Sequence, residues 1–116
     1  MKIRLYVMLT SRDPDLLNDW YQRGPEIGIG NNFLTIRAIK LNSDGALGSR
    51  GAWLLADYSD RPGHAGMATQ PMSYIHEVTE NGLLSGFQVN THSIGDRAVR
   101  EAVSYTHLTL PTILLV

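Results

Sequence analysis

An α/β domain built on parallel strands is the fold class this sequence predicts, and three observations predict it. Short apolar runs at 3–9, 34–41 and 87–93 have the length and composition of buried strands. Segments with apolar residues at helical spacing lie between and after them. Two of the runs end in a residue able to do chemistry, Lys40 and His92, and each opens into a glycine-bearing turn. The resulting order, β-α-β-loop-α-β-α, is that of strands joined by crossover connections.

The first run mixes Ile3, Leu5, Tyr6, Val7, Met8 and Leu9. Asp13-Pro14 follows as a helix start, with the carboxylate as cap and proline at the first helical position. Leu16, Leu17, Trp20 and Tyr21 then form an apolar stripe that Gly24-Pro25 ends. The connector at 28–32 begins like a dinucleotide fingerprint, but Phe33 stands where its third glycine would be, so it reads as a turn. Alternation along the second strand places Leu34, Ile36, Ala38 and Lys40 on one face and Thr35, Arg37, Ile39 and Leu41 on the other. A long glycine-punctuated segment runs to about Gly66, with a short element expected at 52–55 and a turn at 58–63. A helix is expected over 71–85, weakened near its end by Asn81-Gly82. The third strand carries Gln88, Asn90 and His92 on one face, and a polar face needs a wet or ligand-filled space. Asp96 is placed to cap the helix that follows.

Composition narrows the function classes. The 116 residues are 43% hydrophobic and 18% charged, as in one ordinary globular domain. Ten basic and eleven acidic residues are scattered, which argues against nucleic-acid and anionic-membrane partners and favours a small molecule. No apolar run is long enough to span a bilayer. Without cysteine there is no disulfide framework and no thiolate site, so a metal would need His, Asp, Glu or a modified Lys. Compartment is left open, with the cytoplasm weakly favoured.

Each chemistry-bearing residue has two readings. Lys40 is either a solvated side chain or a buried amine that adds carbon dioxide to become a carbamate, a carboxylate-like bridge for two divalent cations. His92 either donates to the backbone or, in the company of Gln88 and Asn90, binds a metal. Asp44 is either the first residue of an Asp-Gly turn or a substrate-binding carboxylate, and Arg50 either an exposed loop cation or a clamp for a carboxylate or carbonyl. His64 and His76 are assigned no chemistry, and no residue is named as catalytic.

The blocks Lys40-Leu41-Asn42-Ser43-Asp44-Gly45-Ala46-Leu47-Gly48-Ser49-Arg50-Gly51-Ala52, Tyr58-Ser59-Asp60, Gly86-Phe87-Gln88-Val89 and His92-Ser93-Ile94-Gly95-Asp96-Arg97-Ala98 resemble, in order, the metal-dependent amidohydrolase superfamily. Within it they are most similar to the branch that includes N-substituted formamide deformylases. The resemblance implies a partial TIM (β/α)8 barrel of three to four parallel strands, with the site at their carboxyl ends. It further implies that Lys40 is a carbamylated bridging lysine, that His92 is a metal ligand and that the cofactor is a divalent metal, Zn2+. The substrate implied is a small amide cleaved at a non-peptide carbon-nitrogen bond. The family's His-x-His pair on the first strand, its later metal-binding histidine and its late aspartate have no counterparts in this chain. Two ligands cannot hold a catalytic metal pair, so residues 1–102 read as a barrel fragment, inactive alone, whose partner is the missing remainder of the barrel. A small non-catalytic α/β ligand-binding module is the competing reading.

Residues 103–116 read as a non-native tail, because Val103 to Thr112 resembles the translation of a sequencing adapter. His107 therefore receives no role.

Overall fold

The computed structural model describes residues 2–104. His107 and residues 105–116 of the expected tail lie outside the described residues, whereas Val103 and Ser104 continue a helix that begins at 96. In chain order the elements are β1 (Leu5–Thr10), α1 (Pro14–Arg23), β2 (Glu26–Gly28), α2 (Ile29–Asn32), β3 (Leu34–Asn42), α3 (Met72–Leu84) and β4 (Gln88–His92). Two compact units form from them: residues through Leu41 with Glu77–Asn90, and Asn42–His76 with the residues from Thr91 onward.

The first unit is a sheet covered by helices. Strand β3 is its hub, parallel to β1, antiparallel to β2 and paired with β4 in a four-stranded open sheet. The expectation of parallel strands alone is thus corrected. The connector after α1 holds a short antiparallel strand, joined to β3 at Glu26 and Ile36, and a one-turn helix whose Gly30 and Asn31 have positive φ.

Helix α1 forms where its signals predict. Asp13 accepts a hydrogen bond from the Leu16 amide at 3.1 Å, Pro14 opens the first turn, and Gly24 closes the last with φ 77. It buries Leu17 and Trp20, and the Arg23 guanidinium lies 4.2 Å from the centre of the Trp20 ring. Helix α3 approaches the sheet closely because Gly82 has no side chain. A Cβ there would stand 3.0 Å from Ile39 Cδ1 and 3.0 Å from Val89 Cγ2. The glycine that weakens the helix as a sequence is what lets it pack. Leu17, Ile39 and Leu41 are fully buried, and each such side chain contributes about 1.5–3 kcal/mol.

A bulge alters the expected faces of β3. Val7 pairs with Ile36 but Met8 pairs with Ala38, leaving Arg37 as the extra residue. Partners in a parallel pair share a face, so Leu34 and Ile36 side with Ile39 and Leu41. Thr35 sides with Ala38 and Lys40, alongside Tyr6, Met8 and Thr10. Strict alternation assigned the early residues to the opposite faces, because it could not anticipate one extra residue.

The second unit is built mostly from loop. Between Asn42 and Met72 the only regular pairing among the described residues is the isolated bridge of Tyr58 with Arg61, at the expected turn; the element expected at 52–55 is absent. Ile75, Ala52, Tyr58 and Ala98 are buried there, together with the polar Ser43 and Asp44.

Candidate functional site

Lys40 is the seventh residue of β3 and His92 the last of β4, so each stands near the carboxyl end of its strand. Lys40 is half-buried and pairs with Thr10, and its carbonyl accepts the Ser11 amide at 3.2 Å. Alternation along β4 puts His92 on the side of that strand that carries Gln88 and Asn90.

In the second unit the backbone around His92 is tightly held. Its carbonyl accepts the Ser43 amide at 2.9 Å and the Ser43 hydroxyl at 2.6 Å, and Ser43 Oγ lies 2.7 Å from Ser93 Oγ. Asp44 does more. Its Oδ2 accepts the amides of Trp53 at 2.8 Å and Gly95 at 2.7 Å, and its Oδ1 accepts the amide of Ile94 at 3.0 Å. The carboxylate is fully buried, and three backbone donors replace the water it has lost. His92 Nε2 stands 4.0 Å from Asp44 Oδ1, a pairing of opposite charges only when the ring is protonated. Asp44 therefore ties the loop after β3 to the turn that follows His92.

The turn itself tolerates no side chain. A Cβ on Gly95 would collide with the Trp53 carbonyl, so the chain passes directly over Trp53. The helix at 96–104 starts with the Gly95 carbonyl accepting the Val99 amide at 3.0 Å. Asp96 thus lies one residue inside the helix rather than at its cap, and its Oδ1 accepts the amides of Leu55 and Arg97, both at 2.9 Å. The Arg97 guanidinium lies 4.5 Å from the centre of the Trp53 ring.

Arg50 occupies left-handed backbone, φ 58, and its guanidinium grips Asp60 with hydrogen bonds of 2.7 Å and 3.3 Å. That hydrogen bond holds the Asp60 carboxyl below the usual carboxylate range and raises the Arg50 guanidinium. The Arg50 carbonyl meets His64 Nε2 at 3.0 Å, His64 stacks on Tyr58 at 5.7 Å, and the Tyr58 hydroxyl donates to the Ala52 carbonyl at 2.8 Å. Arg50 is thus engaged within its own loop. Ser43, Tyr58, Asp60 and His64 take structural parts that the sequence did not signal, since their partners are set by the loop's path.

Among the described residues no three His, Asp or Glu side chains gather as a metal site. Nor is any described helix long and apolar enough to cross a membrane.

No family model matches the chain, and no curated protein does. Among solved structures the chain is similar to an uncharacterized metal-dependent hydrolase from Pyrococcus horikoshii OT3, with a TM-score of 0.81 and 31% identity over 92% of this chain and 21% of that one. It is likewise similar to an uncharacterized metal-dependent hydrolase from Pyrococcus furiosus, with a TM-score of 0.81 and 31% identity over 93% of this chain and 22% of that one. The chain spans about a fifth of the length of the solved structures it resembles.

Proposed function

We propose that this chain is part of the barrel of a metal-dependent hydrolase that cleaves non-peptide carbon-nitrogen bonds, with N-substituted formamides as the substrate class. The observation that carries the proposal is the likeness, at 31% identity over nearly the whole chain, to two structures described as metal-dependent hydrolases. The position of Lys40 and His92 near the carboxyl ends of β3 and β4, where barrel enzymes gather their chemistry, supports it.

The donor types suit Zn2+. Neutral imidazole is a common zinc ligand, and a carbamate formed when the neutral Lys40 amine adds to carbon dioxide, with loss of one N–H proton, offers a carboxylate. Their number falls short of a site, so the remaining donors would come from residues beyond the two. A divalent metal held there would supply an activated water and polarise the scissile carbonyl. What this chain's own residues contribute is support. Ser43 and Asp44 fix the peptide groups that follow the His92 side chain, and the Arg50–Asp60 pair braces the loop after Asp44.

The test is formate release from N-substituted formamides by a full-length protein that contains residues 1–102. Activity is expected to vanish on chelation and return with Zn2+, and Lys40→Ala and His92→Ala are each expected to lower bound metal and kcat together. A metal-replete full-length protein that leaves carbon-nitrogen substrates intact overturns the proposal.

A further inference from the structure

At the other end of the strands the first unit carries a groove of about 330 Å3, lined by Tyr6, Arg37, Gly86, Phe87 and Gln88. Its polar groups have an unusual balance. The Tyr6 hydroxyl donates to Gln88 Oε1 at 2.8 Å, which sets the orientation of the amide group. The end left for a ligand is the Gln88 NH2, a donor only. The other wall is Arg37, the extra residue of the β3 bulge. Its guanidinium is exposed and makes no ion pair or hydrogen bond with a described residue. Phe87, buried at 3% exposure, also lines it. Two donor groups, the Arg37 guanidinium and the Gln88 NH2, line it together, and the Tyr6 proton is already committed to Gln88 Oε1.

We infer that the groove formed by Tyr6, Arg37 and Gln88 binds a small oxyanion, a carboxylate or a phosphate, at a site separate from Lys40 and His92. The planar guanidinium presents a fork of N–H groups matched to paired oxygens, and the Gln88 amide adds a third direction of donation. The inference does not depend on the hydrolase reading, since no residue of one serves the other.

The test uses the 116-residue chain and two probes, acetate and inorganic phosphate, each titrated at constant ionic strength with chloride as the balancing anion. The readouts are the Arg37 Nε–H and Gln88 side-chain NH2 signals in 15N-resolved NMR. Saturable shifts at both groups are expected, and the tighter of the two probes identifies the kind of oxyanion. Arg37→Gln is expected to raise the Kd by ~10-fold or more, the factor associated with losing a hydrogen bond to a charged group. Tyr6→Phe frees the Gln88 amide to rotate and is expected to weaken binding less, while leaving the Arg37 signal responsive. Because both side chains are exposed, circular dichroism of the variants should match the parent chain. Shifts that fail to saturate, that appear equally at the other arginines, or that persist unchanged in Arg37→Gln overturn the inference.

Discussion

The two units of this chain are held together by different physics. In the first, Leu17, Trp20, Ile39, Leu41 and Val78 are buried on regular elements, and the ladder of β3 satisfies the backbone. In the second, few backbone groups find partners in regular structure, and Ser43, Asp44, Tyr58, Arg50, Asp60 and Asp96 take the place of a ladder. One unit is stabilised by area removed from water and tolerates small adjustments. The other depends on directed bonds, and at the buried ones, those of Ser43, Asp44 and Tyr58, a bond lost leaves a group without its partner.

The largest effect should therefore follow from a single oxygen-bearing side chain. Asp44→Ala strips the acceptor from three amides and is expected to destabilise by more than about 4 kcal/mol, or to prevent folding of the second unit. Urea unfolding followed by Trp53 fluorescence measures it. If Asp44→Ala cost less than a core truncation, the contrast between the units would collapse.

Next comes the first unit's own weak point. Leu17→Ala, at a side chain that is 1% exposed, should cost about 2–5 kcal/mol, the usual penalty for a buried leucine plus its cavity. Hydrogen exchange would sharpen the comparison, because Asp44→Ala should raise exchange at Ile94 and Gly95 first, and Leu17→Ala at the amides of α1. Asp13→Ala, which removes the cap of α1, should cost about 1 kcal/mol by thermal melting.

The smallest effect belongs to the exposed Arg50–Asp60 pair. The Asp60 carboxyl is held below its ordinary value of 3.8 by the Arg50 hydrogen bond. Its contribution is thus complete above that value and is lost as pH falls through the lowered folded value. Asp60→Asn should flatten the acid limb of a melting-temperature profile below about pH 4 and change little at neutrality, since an exposed pair is screened by solvent. A large loss of stability at pH 7 would show that the loop depends on this pair far more than its exposure suggests.

What could be read from the residues follows the same division. Helix α1 was legible from Asp13, Pro14, the Leu17–Trp20 stripe and Gly24, because local chemistry decides a helix end. The two faces of β4 followed from periodicity, as did the strand positions of Lys40 and His92, whereas β1, whose composition reads as a buried strand, leaves Leu5, Tyr6 and Met8 exposed. The bulge at Arg37 was not legible. One extra residue leaves no mark on composition, yet it reversed the faces of everything before it in β3. Nor could spacing reveal that the Asp44 carboxylate is taken up by three amides, two of them contributed from about fifty positions away. The Asp-Gly turn expected at 44–45 does not form, the turn lying at 47–50, and the distant partners that occupy the carboxylate left no local signal.

That distance also has a meaning in time. Asp44 and the Gly95 amide are 51 residues apart in sequence. At a synthesis rate of about 5–20 residues per second, the carboxylate leaves the ribosome roughly 3–10 seconds ahead of the amide that completes its shell. Through most of that interval a residue destined for a dry interior has only the Trp53 amide, nine residues on, and water to bind. The completion of the second unit is thus timed by translation as well as by the closure of a long loop.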